Sequence, residues 1–174
     1  LIGGVLKGQE LIANAQVTAT ASAIKGFDAA TTTFRDTYAA MPGDMTNPTT
    51  RLPNCTAAPC SGAGDGDGRV ENGTDAIDAA VGDDTEMQTF WTHLAAADLI
   101  SGIDPELGDA WGGLYPKAPI AGGFHAAYDN SGGLGSNDNS RAGHYIMITN
   151  APGAAAPGDT LTALQAARID RKLD

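Results

Sequence analysis

The chain has 174 residues, a formal net charge of −11, and only four Phe, four Tyr and two Trp. That length suits one domain. Its 23 Gly and 9 Pro exceed the usual share of about 12% and imply long irregular connections, while its periodic apolar runs exclude a wholly disordered chain. The charge is local: twelve acids lie between Asp65 and Asp109 against the single base Arg69, a balance that disfavours nucleic acid or anionic lipid as a partner.

The first element runs from Leu1 to about Ala40. From Gln9 onward it holds no proline and one glycine, and its alanines favour helix. Ile24, Phe27, Thr31, Phe34 and Tyr38 step by three and four, which places them on one helical face. A helix of that length reaches roughly 60 Å, longer than such a domain needs, so part of it is expected to protrude. Met41-Pro42-Gly43 stops it. The opening LIGGVL has no charge and no cap, and reads as the end of an apolar helix that begins further upstream. It is too short to span a bilayer, which takes about 20 apolar residues.

From Pro42 to Asp84 the chain reads as loop. Cys55 and Cys60, the only cysteines, stand in CTAAPC. Metal-binding pairs with such spacing normally have further Cys or His ligands close by. None is near in sequence, which favours a local disulfide over two free thiols and points to an oxidising compartment. The stretch GDGDGRVENGTD follows, Gly64 to Asp75.

Beyond the loop, Thr85–Ile100 reads as a second helix ended by Ser101-Gly102, and Pro105–Ile120 as irregular. GFHAAYD and HYIMITN read as two strands, and a last helix follows from about Thr160. One long helix first, with strands and loops later, argues an α+β fold.

No enzyme motif emerges. There is no Gly-x-Ser-x-Gly turn and no His-Glu-x-x-His pattern, and His93, His125 and His144 read as packed or surface residues. Aspartates interleaved with the glycines of GAGDGDGR repel phosphate, and a P-loop's Lys and Ser/Thr are missing. Two readings of the acidic glycine loop stay open. One is a Ca2+ site: calcium takes six to eight oxygens, and Asp65, Asp67, Glu71 and Asp75 offer carboxylates. Aligned as an EF-hand, Asp65 and Asp67 fall on ligand positions and Gly68 on the sharp turn, but Ala63 and Thr74 stand where carboxylates belong. The other is a pair of ion-free Asp-Gly turns.

Several segments carry a resemblance. LIGGVLKGQELI resembles the stretch just after the membrane-embedded part of type IV pilin-like proteins, including type II secretion pseudopilins. FRDTYAAMPGDM resembles the end of their long helix, and GDGDGRV, FWTHLAAADLISG and ARIDRKLD resemble later parts of one bacterial subgroup. The resemblance implies a long N-terminal helix packed on a small antiparallel β-sheet, with a long irregular loop containing a short helix between them. Residues 1–40 would be an assembly stalk and 41–174 a globular head.

It further implies a non-catalytic subunit of a type IV pilus-like filament or a type II secretion pseudopilus, at the bacterial cell envelope, periplasm or outside. Its partners would be copies of itself and other pilin-like subunits, and, before assembly, the inner membrane through an upstream apolar helix. Leu1, Ile2, Val5, Leu6 and Ile12 would be assembly residues. A reading from another class is a secreted calcium-dependent surface- or glycan-binding module, with its ligand loops around Asp129–Arg141. An acid-rich hydrolase is a third.

Overall fold

A computed structural model describes residues 2–71, 86–130, 141–152 and 160–174, with side chains from residue 4 onward. Four α-helices and two strands are described: α1 (Ile2–Tyr38), α2 (Pro48–Arg51), α3 (Glu86–Ala96), β1 (Gly123–Asp129), β2 (Gly143–Thr149) and α4 (Ala163–Leu173). The architecture is α+β, a long N-terminal helix against a small antiparallel sheet with a short helix in the connection between them.

α1 is long because no proline interrupts it and alanine is frequent along it. Its many threonines, poor helix formers in isolation, bond back to the preceding turn: Thr18, Thr20, Thr31, Thr33 and Thr37 each donate to the carbonyl four residues earlier. It ends at Tyr38, two residues before the expected Ala40, because Ala39 turns left-handed (φ 47°) and its N–H closes on Arg35 O. The Arg51 guanidinium, at the end of α2, donates to Tyr38 O and satisfies another open carbonyl.

The core forms where α1, α3 and β1 meet. The Phe27 ring stands edge-on to Trp91 (4.9 Å) and Phe124 (5.0 Å), and Phe34 and Trp91 are fully buried. Residues Met87 through Leu94 of α3 are all buried, so this helix is enclosed on every side. It stops at Ala96, short of Ser101-Gly102. Asp98 takes the left-handed conformation (φ 58°) usually left to glycine, with Leu99 N–H bonded to Leu94 O and Asp98 N–H to Ala95 O.

β1 and β2 pair antiparallel, Phe124 opposite Ile148 and Ala126 opposite Ile146. β1 is buried along nearly its whole length, whereas most of β2 is half-buried. Within the stretch read as irregular, Pro105–Leu107 makes one 3-10 turn, capped by Asp104, whose carboxylate accepts from Glu106 N–H. α4 starts at Ala163. The Thr162 hydroxyl accepts from Gln165 N–H while the Gln165 side chain accepts from Thr162 N–H, a reciprocal cap. Its Ile169 packs against Val17 and Ala21 near the base of the head.

Candidate functional site

The acidic glycine loop is wrapped around two carboxylates that come from elsewhere in the chain. Asp44, six residues past the end of α1, is 3% exposed. Its Oδ1 accepts from Gly66 N–H at 2.6 Å and its Oδ2 from Gly68 N–H at 2.7 Å. Glu86, the first residue of α3, accepts from Asp65 N–H (3.1 Å) and Glu71 N–H (3.0 Å), one on each carboxylate oxygen. Four backbone donors of Asp65–Glu71 thus point at two side chains. The aspartates add their own turns: Asp65 accepts from Asp67 N–H and Asp67 from Arg69 N–H.

Glycine is needed here for two reasons. Gly66 and Gly68 sit at φ +81° and +90°, and a Cβ on Gly64 would overlap the Asp44 backbone. The loop is then tied to the sheet by Tyr128 N–H donating to Val70 O and by the Arg69 guanidinium lying 5.1 Å from the Tyr128 ring centre.

The electrostatics follow from this closeness. Burial pushes the Asp44 carboxyl above its usual range; its two N–H bonds oppose the shift, and the Asp67 and Asp65 charges add to it. Burial likewise pushes Glu86 up to about 7 against the pull of the Glu71 and Asp65 N–H groups, with Asp44 and Asp65 adding repulsion.

Carboxylate oxygens of Asp44, Asp65 and Asp67 lie within 4.8 Å of one another. An all-oxygen anionic donor set of this kind fits a hard cation such as Ca2+, since each Asp44 oxygen keeps a lone pair beyond its N–H bond. Asp65 and Asp67 were expected here from the sequence. Asp44 was not, and its signal was thin: an acid two residues after a helix-stopping proline. Glu71 enters through its backbone N–H, and Asp75 lies outside the described residues.

The cysteines are joined as expected, Cys55 to Cys60. Beside them His93 is fully buried: Nδ1 accepts from Gly43 N–H (2.9 Å) and Nε2 lies 2.9 Å from Cys60 O. These partners fix the neutral, Nε2-protonated tautomer, and burial holds the ring pKa down to about 4. His93 clamps the turn after α1 to the disulfide loop. His125 is buried and stacked on Tyr115, with ring centres 4.7 Å apart.

The second candidate surface is the start of α1. No described side chain before Val17 is buried; Asn14 Oδ1 still accepts from the Arg168 guanidinium of α4 at 3.2 Å, and Ile2–Ile12, about 16 Å of helix, reaches beyond that contact. Val5, Leu6, Leu11 and Ile12 are 58–65% exposed. Val5, Leu6 and Ile12 were expected as assembly residues and Leu11 was not; of the remaining two expected, Leu1 lies outside the described residues, as does the side chain of Ile2.

From Val17 on, the inner face of α1 is core, while the outer face repeats small exposed residues. Val5, Ile12, Ala15, Ala19, Ser22, Gly26 and Ala29 follow one three-four spacing, with half-buried Gly8 in the same series. Val5 and Ile12 of this series were expected as assembly residues, and the small residues from Ala15 to Ala29 were not. No helix among the described residues is long and apolar enough to cross a membrane. The loop 131–140 of the glycan-binding alternative lies outside the described residues. No protein-family model matches the chain, and no curated protein or solved structure matches it either.

Proposed function

We propose that the chain is a non-catalytic structural subunit of a helical filament of the type IV pilus or type II secretion pseudopilus kind, displayed at or beyond the bacterial envelope. The observation that carries this reading is the protruding start of α1. Four large apolar side chains, Val5, Leu6, Leu11 and Ile12, are 58–65% exposed among the described residues. Burying what remains exposed of them against other subunits, or in a bilayer before assembly, gains about 1–2 kcal/mol per side chain. The small outward residues from Ala15 to Ala29 support the same reading, because small side chains let helix backbones approach closely.

In this reading the acidic loop is a structural joint between stalk helix and head, held by Ca2+ on Asp44, Asp65 and Asp67. The cation's contribution there is charge neutralisation and a fixed loop shape, and no catalytic step is involved.

Electron microscopy of the native, full-length protein in its host tests the assignment. Filaments that bind antibody to this chain, and that disappear with Val5→Asp and Ile12→Asp while the soluble head stays folded, are the expected result. A host that makes the protein without any such filament overturns it.

A further inference from the structure

We propose that the Cys55–Cys60 loop, when its disulfide is reduced, is a site for a thiophilic divalent ion such as zinc, with two thiolates and the His93 imidazole as ligands. The two sulfurs and a ring nitrogen of His93 lie within 4.8 Å of one another. A tetrahedral zinc with Zn–S near 2.3 Å and Zn–N near 2.0 Å sets its ligand atoms about 3.3–3.8 Å apart, so the ring nitrogen needs to approach the sulfurs by about an ångström at most, while the sulfurs themselves move apart once the S–S bond is broken.

The loop does not depend on the disulfide alone to bring them there. Ser61 N–H bonds Ala57 O, Gly62 N–H bonds Pro59 O, and the Cys60 carbonyl faces the His93 ring. Cys55 and His93 are fully buried, which fixes their positions, whereas Cys60 is half-buried, which leaves a path for an ion and for water as the fourth ligand. His93 is a neutral imidazole and brings no proton to displace. Ligation through Nδ1 gives up Gly43 N–H and leaves the Nε2 proton on Cys60 O, whereas ligation through Nε2 moves that proton to Nδ1 and gives up both backbone partners.

The chemistry balances with a dithiol reductant. It supplies two electrons and two protons, the S–S bond breaks to two thiols, and the reductant leaves as its own disulfide. The ion then displaces both thiol protons. Because re-oxidation starts from a free thiolate, the bound ion holds the chain reduced. One loop is therefore closed in either of two ways, by a disulfide or by a metal. This site is separate in chemistry from the acidic loop, which offers only oxygen.

Cobalt(II) is the probe, with the full chain reduced by a phosphine and calcium present in excess to occupy the oxygen site. The expected result is one cobalt per chain with a thiolate-to-cobalt charge-transfer band. The band is absent from the oxidised protein, is removed by stoichiometric zinc, and is weakened with a shifted visible spectrum in His93→Gln. Zinc also slows re-oxidation of the reduced protein by a disulfide. Cys60→Ser, at the half-buried position, is the second variant and retains at most one thiolate's share of the band. No band in the folded reduced protein overturns the proposal, and so does an unshifted spectrum in His93→Gln or loss of near-UV circular dichroism on reduction alone.

Discussion

Asp44 accepts the two shortest hydrogen bonds from the amides of the acidic loop, and Asp44→Ala measures what they contribute. The variant removes two short charge-assisted bonds, to Gly66 N–H and Gly68 N–H. Bonds of that kind contribute about 1.5–3 kcal/mol each. Three effects reduce the sum. Gly66 and Gly68 are exposed, so water reaches their amides in the variant. The buried carboxylate no longer has to be desolvated, and its repulsion with Asp65 and Asp67 is gone. A net loss of about 2–3 kcal/mol remains, which for a domain of this size lowers Tm by about 5–10 °C.

Asp44→Asn keeps one accepting oxygen and is expected to lose about half as much. Thermal unfolding followed by circular dichroism, with chelator present, gives the magnitude. Amide hydrogen exchange gives the location, since protection should drop at Gly66 and Gly68 before it drops in α3. A Tm within about 1 °C of the parent for Asp44→Ala, or unchanged exchange at both glycines, refutes the reasoning.

Calcium at millimolar levels is expected to raise Tm, and both Asp44→Ala and the Asp65→Ala, Asp67→Ala pair should abolish the rise; calorimetry showing no heat of binding in that range, where extracellular modules commonly bind, removes the cation from the account. Glu86, raised to about 7, stabilises the fold fully below its ordinary value near 4.5 and loses that contribution as pH rises through 7. The stability of the parent relative to Glu86→Gln should therefore fall between pH 4.5 and 7.5 in chelator. His93 and His125, held down to about 4, lose stability as pH falls below 6.5, but they do so in both proteins and cancel in the difference; a flat difference is the contrary result. Ala39→Gly relieves the left-handed alanine that ends α1 and should stabilise by about 0.5–1 kcal/mol; denaturant unfolding with no gain in midpoint counts against that reading of the cap.

What could be read from the sequence was what neighbours along the chain decide. The three-four spacing of Ile24, Phe27, Thr31, Phe34 and Tyr38 belongs to a helix whichever partner it meets, and GFHAAYD formed the strand Gly123–Asp129 residue for residue. Cys55 and Cys60 paired because so short a loop keeps them close. Helix ends were less legible. Met41-Pro42-Gly43 and Ser101-Gly102 were the expected stops, and Ala39 and Asp98 take the left-handed turn before them.

The site itself was decided by tertiary structure. Asp65 and Asp67 advertise themselves by their glycines, but the carboxylates that shape the loop, Asp44 and Glu86, lie 21 residues before Asp65 and 15 after Glu71. Only the docking of α3 beside the exit of α1 brings them under the loop's amides. The same holds for His93, whose two nitrogens join Gly43 to Cys60 across 50 and 33 residues. Periodicity and turn chemistry are written locally. Which buried carboxylate answers which backbone N–H depends on elements distant in sequence meeting in one core, and no local pattern encodes that meeting.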